Sequence, residues 1–298
     1  WHLRELRIQH GAVGQRTFHR TVTQAANGAT HVALSAPSGA RRDYCLWRTN
    51  VRIADAPEPV RAAVKALPGR WPEMHDAEVS IAIPIDGERD AGRFSIYLPT
   101  RETTGSAVHV NAPFYGDMSR TSIAFDNAYN RHLVDMAVDL AVSAALAQTA
   151  VPTADSGRAV LDLLCPLAKD GPGEAWFEHM AQAISRAGVD LSSTPLVLTE
   201  RGWTALRGAY QVPDLVACRF FTEELVRRYS PVSLLHPEVS RARAKQFVLL
   251  KEQFFGPGTA RMPTKAVAEL AASIAEGLRQ EGADWNGYWR DVVTLLPN

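Results

Sequence analysis

The chain has little of what most sequence signatures are made of. Its 298 residues include three cysteines, Cys45, Cys165 and Cys218, spaced far apart. No C-x-x-C pair is present for zinc or thioredoxin-like chemistry, and an odd number does not suit a disulfide framework, so buried free thiols in a reducing cytoplasm are expected. No apolar run reaches 18 residues. The nearest, 133–147, is interrupted by Asp135 and Asp139 and is too short to span a bilayer. H-E-x-x-H and G-x-S-x-G are both absent, which removes the usual zinc-protease and α/β-hydrolase signatures. The nine histidines are dispersed, and Lys+Arg and Asp+Glu balance at 32 each. The balance also holds within residues 1–150, at 16 against 15, so neither half is a bulk binder of nucleic acid or acidic membrane. No repeat of 20–50 residues is visible.

What is present suits a soluble globular chain long enough for two domains. Residues 1–53 alternate in the strand manner, with Asn27-Gly28 and Ser38-Gly39 as turns. A short helix is predicted over 58–67, between Pro57 and Pro68-Gly69. Val79, Ile81, Ile83 and Ile85 give the cleanest alternation, and that strand is expected to pair with 92–98 across the polar turn 86–91. A mostly apolar helix, 126–148, should cover the sheet, with Asp126 or Asn127 as its N-cap. The segment 149–156, TAVPTADS, marks a boundary between domains 1–150 and 151–298. The second is predicted to be mainly helical, with a hairpin near 195–206 and helices at 157–168, 174–187, 214–229, 238–254, 264–281 and 284–296.

The most informative stretch is 92–133, GRFSIYLPTRETTGSAVHVNAPFYGDMSRTSIAFDNAYNRHL. It runs strand, turn, strand, irregular loop, helix. Pro99 is expected to stop the first strand and Pro113 the second. Arg120 stands in the loop where the second strand hands over to the helix. A guanidinium there suits a phosphate, because its fork of donors stays charged and bonds two oxygens. Spacing alone favours the plainer account, a local ion pair with Asp117 or Asp126 on the surface. Asn111 and Ser119 could orient Arg120 or simply stabilise turns, and His109 is expected to be a packed strand residue.

The order YLP, a T-G turn, HVNAPF, then Ser119-Arg120 before an N-x-x-x-R-x-L helix resembles a segment of sacsin-type proteins, whose ATPase module is related to the ninety-kilodalton heat-shock chaperones (the GHKL family). The resemblance covers roughly residues 1–150. It departs from the family pattern at Ala112-Pro113-Phe114 and in having one arginine where two are common. It implies an α+β fold with an antiparallel or mixed sheet covered by helices, of the middle or transducer type, ahead of the mainly helical domain. It also implies that Arg120 reaches the γ-phosphate of ATP, with Ser119 and Asn111 beside it. The magnesium-holding helix, the D-x-G-x-G loop and the glycine-rich lid of the family are missing. Asp170-Gly171-Pro172-Gly173 and Gly256-Pro257-Gly258 are loop punctuation. The expectation is an internal piece of a longer cytoplasmic protein that begins at Trp1 without methionine and is inactive alone. ATP and Mg would be held mainly by an upstream nucleotide-binding domain of the same polypeptide, and a protein client is a further partner. The alternatives are a non-catalytic protein-interaction module, or a nucleic-acid-binding segment using Arg41-Arg42, Arg227-Arg228 and the run Arg241, Arg243, Lys245. For these, a solvated face is the simpler account. Trp285, Tyr288 and Trp289, at i, i+3, i+4, suit a core or an interface.

Overall fold

The computed structural model describes residues 5–10, 14–24, 28–85, 91–117, 119, 121–165, 173–216, 218–278 and 284–296. The protein is α+β and divides into two compact units: Trp1–Ala150 with Asp162–Val189, and Val151–Leu161 with Asp190–Asn298. The division falls after Ala150, after Leu161 and after Val189, the second of these inside helix α3 (Ala154–Leu164). Among the described residues no helix is long and apolar enough to cross a membrane.

The first unit is built on one mixed sheet. Strands β1 (Glu5–His10), β2 (Gly14–Gln24), β3 (Thr30–Ser35), β4 (Arg41–Arg52) and β5 (Asp76–Pro84) form an antiparallel meander. Helix α1 (Glu58–Ala66) fills the β4–β5 connection. The remaining strands are β6 (Arg93–Ile96), β7 (Leu98–Thr103) and β8 (His109–Asn111), and the sheet order is β1-β2-β3-β4-β5-β8-β6-β7.

This order corrects the expected pairing of β5 with 92–98. β8 lies between them, antiparallel to β5 (Ile81↔Val110) and parallel to β6 (Phe94↔Val110). The reason is burial. Ala107, Val108 and Val110 are fully enclosed, so this short apolar segment takes the interior position. Nor is 92–98 one strand. Tyr97 adopts a left-handed backbone (φ 63°), and the chain doubles back with Ile96 opposite Leu98. Pro99 therefore lies within β7 rather than ending a strand. β7 is the sheet edge, where a missing N–H is tolerated.

Helix α2 (Ala128–Gln148) packs on β4 and β5, burying Leu133, Ala137, Val138, Ala141 and Ala145. Its alanines let it lie close to the sheet. Asn127, not Asp126, is the N-cap, its side chain accepting the Tyr129 N–H. Helix α4 (Gly173–Arg186) runs beside α2, joined by His179–Asp135 and Arg186–Asp139 pairs, both at 2.7 Å.

The second unit is mainly helical. It carries the hairpin β9 (Pro195–Thr199) and β10 (Gly202–Ala205), and a two-residue parallel pair, β11 (Ala209–Tyr210) with β12 (Ser233–Leu234). Helices α5 (Glu223–Tyr229), α6 (Pro237–Phe255), α7 (Thr264–Leu278) and α8 (Trp285–Leu295) complete it. Their core includes Phe221, Val226, Leu270, Ile274 and Tyr288.

The helix expected over 214–229 starts only at Glu223. The buried carboxylate of Asp291, on α8, accepts the N–H groups of Arg219 and Phe220 at 2.7 and 2.6 Å, and Thr222 is the N-cap of α5. A backbone held by a distant acceptor cannot at the same time make the local helical bonds. Helix α6 is kinked at Arg243 (φ −140°, ψ 20°), which breaks the regular spacing expected between Arg241 and Lys245.

Candidate functional site

The segment from β8 into α2 is a closed loop with a fixed base and an exposed tip. At the base, Phe114 is buried and meets Phe94 edge-to-face, with centroids 5.7 Å apart. Phe125, at the other end of the loop, meets the same ring at 5.2 Å. Between them, Gly116 and Ile123 form an antiparallel bridge, and the Ala124 N–H donates to the Tyr115 carbonyl at 3.3 Å. Gly116 is needed here, because a Cβ on it would stand 2.3 Å from the Ser122 carbonyl oxygen.

A buried amide in the first turn of α2 closes the loop. Asn130 Nδ2 donates to the carbonyls of Tyr115 (2.6 Å) and Ala124 (2.8 Å), and its Oδ1 accepts the Tyr115 N–H (2.8 Å). The neighbouring Tyr129 hydroxyl donates to the Pro113 carbonyl at 3.0 Å. Its ring is fully enclosed, and burial raises the phenol's pKa.

The tip is organised by Asp117. Its carboxylate accepts the hydroxyls of Ser119 (2.8 Å) and Thr121 (2.9 Å) and the N–H groups of Thr121 (2.8 Å) and Ser122 (3.4 Å). The Ser119 hydroxyl bond, with the other three, holds Asp117 well below the usual carboxylate range, outweighing desolvation, which opposes it. The Arg101 N–H, on β7, donates to the Thr121 carbonyl at 2.9 Å.

Of the three residues singled out from the sequence, Ser119 is on this exposed tip and its hydroxyl lies against Asp117 and Thr121 (2.9 Å). Asn111 is buried at the end of β8. Its Oδ1 accepts the N–H of the left-handed Tyr97 at 3.0 Å, so it holds the β6–β7 turn. Among the described residues no hydrogen bond joins Asn111 to Ser119. Arg120 lies outside the described residues. His109 is a packed strand residue: its Nδ1 accepts the Arg93 N–H, and its ring meets Tyr44 edge-on.

Sequence reasoning missed Asn130 and Gly116, and treated Asp117 only as an ion-pair partner. Asn130 could have been noticed as a polar residue on the apolar stripe of α2, three residues before Leu133 and four before Val134. The basic spots are partly neutralised: Arg41 pairs with Asp43, and Arg227 with Glu200 and Glu223. Tyr288 is core, whereas Trp285 and Trp289 are exposed. Cys45 and Cys165 are buried, Cys218 is half-buried, and none of the three is in a disulfide. Among the described residues no cluster of His, Cys, Asp or Glu could hold a metal ion.

No family model, curated protein or solved structure matches this chain.

Proposed function

We propose that the chain is the middle, transducer-like part of a GHKL-type ATPase of the sacsin kind, in which the loop after β8 completes an ATP site held by another domain. The observation that supports this is the construction of the loop itself. Its base is clamped by Asn130 and Phe94, and at its exposed tip Asp117 holds Ser119 and Thr121. A residue that must meet a phosphate on a separate domain gains from being displayed on a preorganised protrusion, because little ordering remains to be done at the moment of contact.

In this proposal Arg120, with the Ser119 hydroxyl beside it, would donate to γ-phosphate oxygens. Magnesium and the rest of the nucleotide would be held mainly by the partner domain. The bound nucleotide supplies the phosphoryl group to be transferred, and this chain's contribution is charge stabilisation and positioning. Asn111 acts indirectly, by fixing Tyr97 and the strand from which the loop leaves. For nucleotide state to be relayed onward, the loop must favour different positions with and without the γ-phosphate. A cytoplasmic location and a protein client belong to the same proposal.

The test is steady-state ATP hydrolysis by the polypeptide or complex that carries the nucleotide-binding half, comparing wild type with Arg120→Ala. Unchanged turnover leaves the chain a non-catalytic interaction module.

A further inference from the structure

The second unit holds a cavity lined by its own residues. It is open to solvent, has a volume of about 640 Å3 and is lined by Arg207, Tyr210, Lys251, Phe255, Arg261 and Thr264, with the 257–259 turn and Met262–Pro263 bordering it. A cavity of this size is in the range of small-ligand sites.

Three cations line it, and no lining residue is acidic. Lys251 is only 2% exposed. Its ammonium donates to the carbonyls of Arg207 (3.1 Å) and Ala209, and sits 3.7 Å from the centre of the Tyr210 ring. These contacts fix the charge in place, but none of them is a counter-ion. Burial is the cause of its lowered pKa, about 8. The neighbouring Glu252 is engaged at the cavity border, where its Oε1 accepts the Gly258 N–H at 2.8 Å; it forms no ion pair with Lys251.

Arg207 lies over the Phe255 ring at 5.5 Å, which holds its planar fork at the cavity wall. The acid that feels Arg207 is Asp190, whose carboxylate is already bonded by Ser192 and Ser193. Among the described residues the Arg261 side chain has no ion pair or hydrogen bond. Thr264 opens the 15-residue helix α7, whose first-turn N–H groups add positive potential on the same side.

We propose that this cavity binds a small molecule carrying phosphate groups, with Arg207 and Arg261 donating to its oxygens and Lys251 supplying a buried, fixed positive charge. Two guanidinium forks suit bidentate contact with phosphate oxygens, and a buried cation without a counter-ion gains most from an arriving anion. The site is independent of the ATPase proposal, since every residue lining it belongs to the second unit.

Calorimetric titration of the full chain with inorganic pyrophosphate tests this, with citrate in parallel to separate phosphate from carboxylate chemistry. Saturable pyrophosphate binding below about 1 mM is expected, weakening with salt. Arg207→Ala and Arg261→Ala should each weaken it about tenfold, with partial rescue by lysine. Arg241→Ala, on an exposed part of α6 about ten residues from Lys251, should leave it unchanged. Both cavity arginines are exposed, so their variants should fold, and a thermal melt checks this. Absence of pyrophosphate binding, binding indifferent to both arginines, or tighter binding of citrate than of pyrophosphate would overturn the proposal and leave Lys251 a structural tie.

Discussion

Asn130 grips Tyr115 by both of its backbone groups, donating to the carbonyl and accepting from the N–H. A single side chain on α2 thereby stands in for a strand partner and ties the two ends of the loop after β8 together.

Asn130→Ala removes this grip: the Tyr115 N–H loses its partner, while the Tyr115 and Ala124 carbonyls keep the bonds they accept from the Ala124 and Asn127 N–H groups. A loss of about 1–3 kcal/mol is expected, from one unsatisfied donor and two weakened acceptors. Asn130→Asp should be no rescue, because a carboxylate cannot donate to two carbonyls. Urea denaturation measures both, and a loss below about 1 kcal/mol for the alanine variant would show that the loop is held by its aromatic contacts instead.

Gly116→Ala attacks the same loop from the other side. With a Cβ 2.3 Å from the Ser122 carbonyl, the bridge to Ile123 must open. Amide hydrogen exchange should rise across 115–124 while the meander β2–β5 keeps its protection. Unchanged exchange in the loop would mean that the bridge does not govern its order.

Arg120→Ala, in the ATPase that contains this chain, should lower kcat by about 10²–10⁴, somewhat below the full range for an arginine finger because other donors remain. Nucleotide affinity should change much less, as for a contact made mainly in the transition state. Arg120→Lys should recover only part of the rate. Wild-type turnover in the alanine variant would remove the main support for the ATPase role.

Asp117 makes the order of the loop tip sensitive to acid. Its folded pKa is depressed, so its contribution is complete above the ordinary aspartate value near 4 and is lost as pH falls from there towards the folded value. Wild type should melt higher than Asp117→Ala at pH 6, and the gap should shrink progressively below pH 4. A gap independent of pH would assign the difference to packing rather than to the ionised carboxylate.

Lys251 gives the opposite end of the pH scale. Its folded pKa of about 8 lies below the ordinary lysine value of 10.5. The unfolded chain therefore binds the proton more tightly between those values, and stability should rise as pH increases from about 8 to 10.5. Compared with Lys251→Met, the wild type should gain up to about 3 kcal/mol across that window, less if the two carbonyls and the Tyr210 ring already favour the ammonium. Parallel curves for the two proteins would show that the lysine stays charged in both states.

Much of the architecture could be read from local pattern. The alternation of Val79, Ile81 and Ile83 gave a strand, Asn127 an N-cap, and Pro195–Thr199 with Gly202–Ala205 a hairpin, because each depends on neighbours in sequence. The place of β8 between β5 and β6 could not be read this way, since strand order is decided by which apolar segment fills the middle of the sheet. The late start of α5 depends on Asp291, some seventy residues away. Lys251 was legible in part: it stands four residues after Phe247 and next to Leu250, both buried, on the inward side of α6. For the loop, the sequence indicated its location and turn chemistry. It could not show that the amide of Asn130 would close it, because that contact exists only once α2 is docked.

The position of β8 also governs the order of assembly. The last strand of the sheet in sequence is not at its edge, so the sheet cannot be laid down strand by strand as the chain emerges. Until residues 109–111 arrive, β5 presents an unpaired apolar edge and the β6–β7 hairpin has nowhere to dock. Closing this gap joins both halves of the sheet in one late, non-local step, which makes it a natural rate-limiting event. During that interval the open edge of β5 is the point at which the nascent protein is most vulnerable to pairing with another chain.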